Sequence, residues 1–120
     1  MRLILLAIVC AGVASAQGWE QVKKEIAWRE SRNGLYRVGK NLDGSLDLGV
    51  YQIWEGNLKR AVSGKRLADA FDGIFARYGI DTTHTLRVNA VRDNDRLNEE
   101  LAKEIYRQRG LKAWTSMRKK

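Results

Sequence analysis

Residues 30–53 read ESRNGLYRVGKNLDGSLDLGVYQI, and this stretch decides the fold because it interrupts an otherwise helical pattern. Within it, Tyr36 and Val38 alternate with polar residues, residues 41–45 have the composition of a turn, and the alternation resumes in residues 46–48. This pattern predicts a small antiparallel hairpin. Because an isolated two-stranded hairpin is only marginally stable in water, we expect it to pack against helices.

Helical periodicity surrounds this stretch on both sides. We predict helices over residues 19–32, 67–78 and 95–109, whereas residues 81–91 show no clear pattern. The fold class is therefore α+β, predominantly helical with one small β-hairpin. Apolar residues at helical spacing form the predicted core: Trp19, Val22, Ile26, Ala27, Leu67, Ala70, Phe71, Ile74, Phe75, Tyr78, Leu97, Leu101, Ala102 and Ile105.

Local signals mark the helix boundaries. Gly79 and Gly110 follow two of the predicted helices, and glycine favours the left-handed backbone that stops a helix. Asp93 or Asn94 can cap the start of the last helix, because a short polar side chain there accepts a bond from a free backbone N–H.

The first residues have the composition of a signal peptide rather than of folded structure. Met1-Arg2 is positive, Leu3 to Val13 is almost wholly apolar, and Ala14-Ser15-Ala16 is a small-residue cleavage signature. We predict a signal peptide over residues 1–16 and a single mature domain over residues 17–120. The apolar run is shorter than the ~20 residues that span a bilayer. We therefore expect a periplasmic or secreted protein without a stable membrane anchor.

The mature domain is predicted to be basic and free of cysteine. Without the leader it has 21 basic and 14 acidic side chains, a net charge of +7. This charge suits an anionic partner such as the bacterial envelope or nucleic acid. We expect no nucleic-acid partner, because no binding motif accompanies the charge and an export signal argues against one. Cys10, the only cysteine, lies in the leader, so an apolar core must hold the domain without disulfides.

Glu30 is the most informative single residue of the first helix. It lies four residues after Ile26 and eight after Val22, on the apolar stripe, so we expect its carboxylate to face the core. Desolvation disfavours a charged carboxylate, and a Glu in such a place should keep its proton to higher pH, as a general acid needs. The alternatives are that the helix ends before Glu30 or that Glu30 pairs with an arginine.

Asp47 is a second candidate carboxylate, on the predicted second strand just after the turn. If the hairpin folds against the end of the first helix, Asp47 and Glu30 meet across a cleft. Cleavage of a glycosidic bond commonly uses such a pair, one acid that protonates the leaving oxygen and one ionised partner. A polar turn would keep Asp47 ionised. The alternative is a turn-stabilising role through bonds to backbone amides.

Two ordered sets of residues carry a family resemblance. The first is Glu30-Ser31, Asn41, Asp43-Gly44-Ser45, Asp47, Gly49 and Gln52-Ile53. It resembles the active-site segment of the lysozyme-like superfamily, which includes c-type lysozymes and bacterial soluble lytic transglycosylases. A weaker match, similar to the closing helix of that superfamily, comprises Asp93, Asn98, Ala102, Ile105-Tyr106, Gly110 and Trp114.

The resemblance implies a lysozyme-like catalytic domain with the hairpin beside the active-site cleft. It implies cleavage of peptidoglycan glycan strands between N-acetylmuramic acid and N-acetylglucosamine, with Glu30 as general acid/base and Asp47 as second carboxylate. The expected substrate-binding residues are Ser31, Gly49, Tyr51 and Gln52. Their alternatives are a helix-end hydroxyl that bonds its own backbone and ordinary loop packing. We expect a monomer.

Three functions fit these residues. In a lytic transglycosylase, Glu30 turns from acid to base and the sugar's own hydroxyl attacks, leaving an anhydro end. In a lysozyme-type hydrolase, water attacks while Asp47 supports the intermediate. The third is a non-catalytic envelope-binding or inhibitor module, against which the retention of both carboxylates argues. Because animal lysozymes carry disulfides and this domain has none, the bacterial branch and a lytic transglycosylase are the main expectation.

Metal and cofactor chemistry is not expected. His84 is the only histidine and the mature domain has no cysteine, which excludes catalytic zinc and Cys/His chemistry, and we predict His84 in a loop. The stretch from Asn41 begins like a calcium-binding loop. However, Leu46 replaces the glycine of the sharp turn and Gln52 replaces the bidentate Glu.

Four tryptophans are candidates for stacking on sugar rings. We predict that Trp19 and Trp114 belong to the core, which leaves Trp28 and Trp54. Trp54 stands where the resembling family usually has Asn after its Gln-Ile, and the Ala-Tyr-Asn motif of many transglycosylases has no clear match. The substrate groove is therefore expected to differ from the family pattern near Trp54.

Overall fold

The first helix carries the face on which the rest of the domain packs. In the computed structural model, which describes residues 16–115, helix α1 spans Ala16–Ser31. Trp19 and Val22 are fully buried and Ile26 is 4% exposed, which confirms the predicted apolar stripe. The predicted signal peptide, apart from the residue that begins α1, lies outside the described residues, as does the basic end of the chain.

A three-stranded antiparallel sheet follows α1, in the order β1-β2-β3. Strand β1 spans Val38–Lys40, β2 spans Leu46–Leu48 and β3 spans Ile53–Trp54. The predicted hairpin is confirmed, with Gly39 opposite Asp47. The third strand was not predicted, because two residues are too few for an alternating pattern to be read.

The remaining elements are helical. After a 3₁₀-helix at Glu55–Leu58, they are α2 at Arg60–Ser63, α3 at Lys65–Arg77, α4 at His84–Asp93, α5 at Asp95–Arg109 and α6 at Lys112–Thr115. Both glycine stops are confirmed, since Gly79 and Gly110 have a φ of 71°. Asn94 caps α5 as predicted, because its side chain accepts a bond from the Leu97 N–H at 3.0 Å.

Helix α4 lies where the sequence showed no clear pattern. Its inward face holds Val91, which is fully buried, and Arg87, which is only 7% exposed. The Arg87 guanidinium lies 4.3 Å from the ring centroid of Phe75, and it donates to Asp72 at 2.9 Å and to the Asp81 carbonyl at 2.7 Å. Because Arg87 is a charged residue on the buried face, the spacing of apolar residues that predicts a helix is interrupted in this segment.

An aromatic cluster around Trp19 joins α1, α5 and α6 to the chain after β2. The Trp19 ring centroid lies 5.1 Å from that of Tyr51, 5.7 Å from Tyr106 and 6.1 Å from Trp114. The Trp114 indole N–H donates to the Tyr51 carbonyl at 2.7 Å. The core positions predicted for Trp19 and Trp114 are therefore confirmed.

Together these elements form a mostly helical domain with a small antiparallel sheet, in agreement with the predicted α+β class. Across the described part of the chain, we find no helix with both the length and the apolar composition that a membrane crossing requires.

Candidate active site

Helix α1 ends next to Glu30 in a run of left-handed residues. Arg32, Asn33 and Gly34 have φ of 53°, 59° and 94°. The Asn33 N–H donates to the Ala27 carbonyl at 3.0 Å and closes the helix end. Glu30 thus lies in the last turn of α1, and it is half-buried. It stands at the border of the core, more open than its place on the apolar stripe predicted.

Ser31 fixes this helix end to the chain that leaves β2. It is 1% exposed, and its hydroxyl donates to the Val50 carbonyl at 2.6 Å and accepts from the Gly34 N–H at 2.7 Å. A longer contact of 3.4 Å joins the hydroxyl to the Ala27 carbonyl in its own helix. Ser31 therefore acts as a positioning residue for its neighbour Glu30, and its hydroxyl is occupied by backbone groups.

Gly49 lies where the chain after β2 meets α4 and α5. Its φ is 77°, and a Cβ there would stand 2.2 Å from Asn98 Nδ2 and 2.6 Å from the Val91 carbonyl oxygen. Only glycine permits this approach. The predicted site residue Gly49 is buried, and its N–H donates to the Arg37 carbonyl at 2.7 Å.

Asn98 on α5 holds this stretch in place and was not predicted as a site residue. It is fully buried, donates to the carbonyls of Leu48 at 2.9 Å and Val91 at 2.8 Å, and accepts from the Tyr51 N–H at 2.9 Å. The available signal was its spacing, because Asn98 shares the inward face of α5 with Leu101. A buried polar residue on an apolar face must find partners, and here they are the backbone beside the site.

Tyr51 belongs to the scaffold behind the site. It is 6% exposed, and burial, followed by the nearby charge of Glu99, raises the pKa of its phenol to about 12. Its N–H donates to the Asn98 side chain, and its carbonyl accepts from the Trp114 indole N–H. The backbone groups expected to line a groove at Tyr51 are thus already engaged inside the domain.

Gln52 connects the sheet to the loop after α1. It has a φ of 51° and is 5% exposed. Its side-chain amide donates to the carbonyls of Gly49 at 3.0 Å and Tyr36 at 3.3 Å. Its Oε1 would stand 2.5 Å from a Cβ at position 39, so the side chain lies directly over Gly39. Gln52 therefore sits on the sheet face that also carries Asp47.

Asp47 occupies the middle of that sheet face. Gly39 lies opposite it on β1 and Trp54 opposite it on β3, and directly opposed residues share one face of a sheet. Asp47 is only 3% exposed, and its Oδ1 accepts from Asn41 Nδ2 at 3.2 Å. Asp47 thus lies on the second strand just after the turn, as predicted, and the unpredicted strand β3 places Trp54 beside it.

A polar network surrounds the hairpin turn. The Ser45 hydroxyl accepts from Asn41 Nδ2 at 3.2 Å and from the Trp54 indole N–H at 2.9 Å, and it donates to Asp43 at 2.6 Å. Asp43 also accepts from the Ser45 N–H at 2.9 Å, as a turn-forming side chain does. Sequence reasoning had assigned no role to Asn41, Ser45 or Trp54 in fixing this face.

A cavity of about 270 Å³ opens between α1 and α5, and neither Glu30 nor Asp47 lines it. The Lys23 amine in its wall is neutralised within the domain, since it bridges Glu20 at 3.1 Å and Glu99 at 2.9 Å. The hydrogen bonds to Glu99 and Glu20 raise the pKa of Lys23 to about 12. Because Lys23 is already paired inside the domain, this cavity is a weaker site candidate than the sheet face and the end of α1.

His84 is the first residue of α4, so its predicted place in a loop is wrong. Its Nε2 lies 3.2 Å from a carboxylate oxygen of Glu55, whose other oxygen accepts from the Leu46 N–H at 2.8 Å. Over residues 16–115, no group of three or more His, Cys, Asp or Glu side chains is arranged to hold a metal ion.

Comparisons of the chain with protein-family models, with curated proteins and with solved structures gave no match. Functional inference therefore starts from the residues themselves.

Proposed function

We propose that this domain has a lysozyme-like fold and cleaves peptidoglycan glycan strands as a lytic transglycosylase, with Glu30 as general acid/base. One observation carries most of the weight. Ser31, the neighbour of Glu30, is buried and bonded to the Val50 carbonyl, two residues after the strand that carries Asp47. The end of α1 and the polar sheet face are thereby fixed to one another, as a preorganised site requires.

The position of Glu30 suits proton transfer. Glu30 lies in the last turn of α1 and is half-buried, so its carboxyl is open enough to reach a bound glycan. Glu30 gives its proton to the glycosidic oxygen as the bond to the sugar carbon breaks. It then takes a proton from the sugar hydroxyl that closes onto that carbon. No water is consumed, and the new end is an anhydro sugar.

The burial of Asp47 favours transglycosylation over hydrolysis. A carboxylate that supports a positively charged sugar must approach that sugar, whereas Asp47 is 3% exposed and bonded to Asn41. We infer that Asp47 holds the turn and the sheet face in shape. The reaction then depends on one carboxyl, Glu30, in both proton-transfer steps.

The remaining parts of the proposal concern location and partner. The leader-like composition of residues 1–16 supports export to the periplasm or the medium. The predicted charge of +7 on the mature chain supports binding to the anionic wall as a monomer.

A digestion of purified peptidoglycan sacculi tests the proposal. We expect the wild type to clear a sacculus suspension and Glu30→Gln to be slower by about 100-fold or more, the usual contribution of general acid/base catalysis. Glu25→Gln is the matched control, because it makes the same change in the same helix, and it should clear at the wild-type rate. Equal clearing by the Glu30 variant, or no clearing by the wild type, would refute the catalytic role.

Asp47→Asn separates the two reaction classes in the same assay. If Asp47 holds the turn, the amide retains an acceptor for Asn41 and activity should stay within about tenfold of wild type. A hydrolase that relies on the charge of Asp47 should instead lose about 100-fold or more, comparable to the loss of an electrostatic stabiliser.

A further inference from the structure

Trp54 is held flat and in one orientation at the side of the sheet. Its indole N–H donates to the Ser45 hydroxyl at 2.9 Å. A Cβ on Gly56 would stand 2.6, 2.7 and 2.8 Å from three consecutive atoms of the six-membered ring. Nearly equal distances to three bonded atoms place that point above the ring face. The inner face of the indole therefore lies on Gly56, which is buried beneath it.

Trp54 lies on the sheet face that carries Asp47. Trp54 is half-buried and lies directly opposite Asp47, on the same sheet face as Gly39. Gly39 has no side chain, and Gln52 lies over it. This row thus sets a fixed, half-buried indole beside buried polar side chains that hold the sheet face in shape.

The other tryptophans do not share this arrangement. Trp19 and Trp114 are buried in the core at 0% and 5% exposure. Trp28 is 52% exposed, but it lies on α1, and the Arg32 guanidinium stands 4.7 Å from its ring centroid. Trp54 is therefore the tryptophan that the fold aligns with the sheet face of the site.

We propose that the outer face of Trp54 binds one sugar ring of the glycan strand by stacking. The inference rests on the proposed function and adds a substrate-binding residue to it. The C–H-rich face of an N-acetylhexosamine ring is apolar and flat enough to cover an indole, and a ring fixed by Ser45 and Gly56 loses little freedom when the sugar binds. Trp54 thus binds one ring of the strand by shape and apolar contact.

Binding of a soluble glycan tests this role without any catalysis. The probe is the β-1,4-linked pentamer of N-acetylglucosamine, titrated by calorimetry into Glu30→Gln protein. Adding Trp54→Ala should raise the dissociation constant about tenfold. Adding Trp54→Phe, which keeps an aromatic face, should change the dissociation constant by no more than about threefold. Trp28→Ala in the same background removes an exposed tryptophan away from the sheet and should bind as well as its parent.

An NMR titration of the Glu30→Gln protein tests the stacking even if the Trp54→Ala protein does not fold. The indole N–H signal of Trp54, assigned by its loss in Trp54→Phe, should shift as the pentamer is added, and that of Trp28 should stay in place. No shift at Trp54, no binding of the pentamer, or equal affinity of the folded Trp54→Ala protein would each overturn the inference.

These results are separable from those for the proposed function. Pentamer binding through Trp54 without cleavage of sacculi by the wild type would refute the catalysis and keep the stacking site. Cleavage that needs Glu30 but is unaffected by Trp54→Ala in either KM or kcat would refute the stacking site and keep the catalysis.

Discussion

Replacement of Asn98 by alanine should destabilise the domain more than any other single hydrogen-bonding change near the site. The fully buried side chain donates to the Leu48 and Val91 carbonyls and accepts from the Tyr51 N–H, over distances of 2.8–2.9 Å. Each buried backbone group left without its partner costs about 1–3 kcal/mol. With partial rehydration of the space that alanine leaves, we expect a loss of about 4 kcal/mol in the free energy of unfolding.

Such a loss is a large share of the about 5–15 kcal/mol that a domain of this size has. Urea denaturation at pH 7, followed by tryptophan fluorescence, measures it. The matched control is Asn94→Ala, because Asn94 is the exposed N-cap of the same helix and its side chain accepts one bond, from the Leu97 N–H. That change should cost about 1 kcal/mol. A cost for Asn98→Ala no greater than that of Asn94→Ala would refute the role assigned to Asn98.

Other perturbations test the same scaffold. Gly49→Ala forces a side chain into a backbone with φ of 77° and a space of 2.2 Å, so the urea midpoint should fall by the equivalent of about 3 kcal/mol, and an unchanged midpoint would contradict the packing described. Burial raises the pKa of Glu99, but hydrogen bonds from Lys23 and Trp19 outweigh it and hold that pKa below its usual value. Because the pKa of Glu99 is lower in the folded protein than the value of about 4.3 in the unfolded chain, its ionised form stabilises the fold at a pH above about 4.3. This stabilisation is lost as the pH falls through the folded pKa. The urea midpoint should therefore drop between about pH 5 and pH 3, and less steeply in Glu99→Gln. Arg87→Met should cost about 2 kcal/mol in the same assay, because the partly exposed Asp72 carboxylate and the Asp81 carbonyl lose a donor that is itself buried, and a neutral result would show that the guanidinium only fills space.

The elements that could be predicted from the sequence are those with local signals. The stripe of Trp19 and Ile26 is buried as its spacing indicated, and the turn between the first two strands forms where its composition placed it. Asn94 caps α5 because its side chain meets a backbone N–H only three residues away. These features depend on neighbours along the chain, so periodicity and capping rules suffice.

The elements that could not be predicted depend on distant partners. Helix α4 was missed because Arg87 is buried, and its acceptors belong to other segments. Strand β3 is two residues long and exists through its pairing with β2. Asp47 is buried beside that pairing, an environment that its place after a turn did not indicate.

For the candidate site, the sequence indicated the segments but not the contacts that their side chains make inside the domain. Ser31, Gly49 and Tyr51, which the resemblance names as substrate-binding residues, have groups that bond or pack within the domain. Their contribution is to hold the end of α1 and the sheet together. Trp54 is fixed by Ser45 across the hairpin, a contact that no spacing rule would indicate.

Mass spectrometry of the fragments released from sacculi tests the central claim, the acid/base role of Glu30, most directly. We expect wild-type protein to release muropeptides whose new ends are one water lighter than hydrolytic ends, and Glu30→Gln to reduce their yield by about 100-fold or more. Hydrolytic ends would contradict the transglycosylase assignment. Anhydro or hydrolytic fragments released in equal amounts by the wild type and by Glu30→Gln would contradict the role of Glu30 itself.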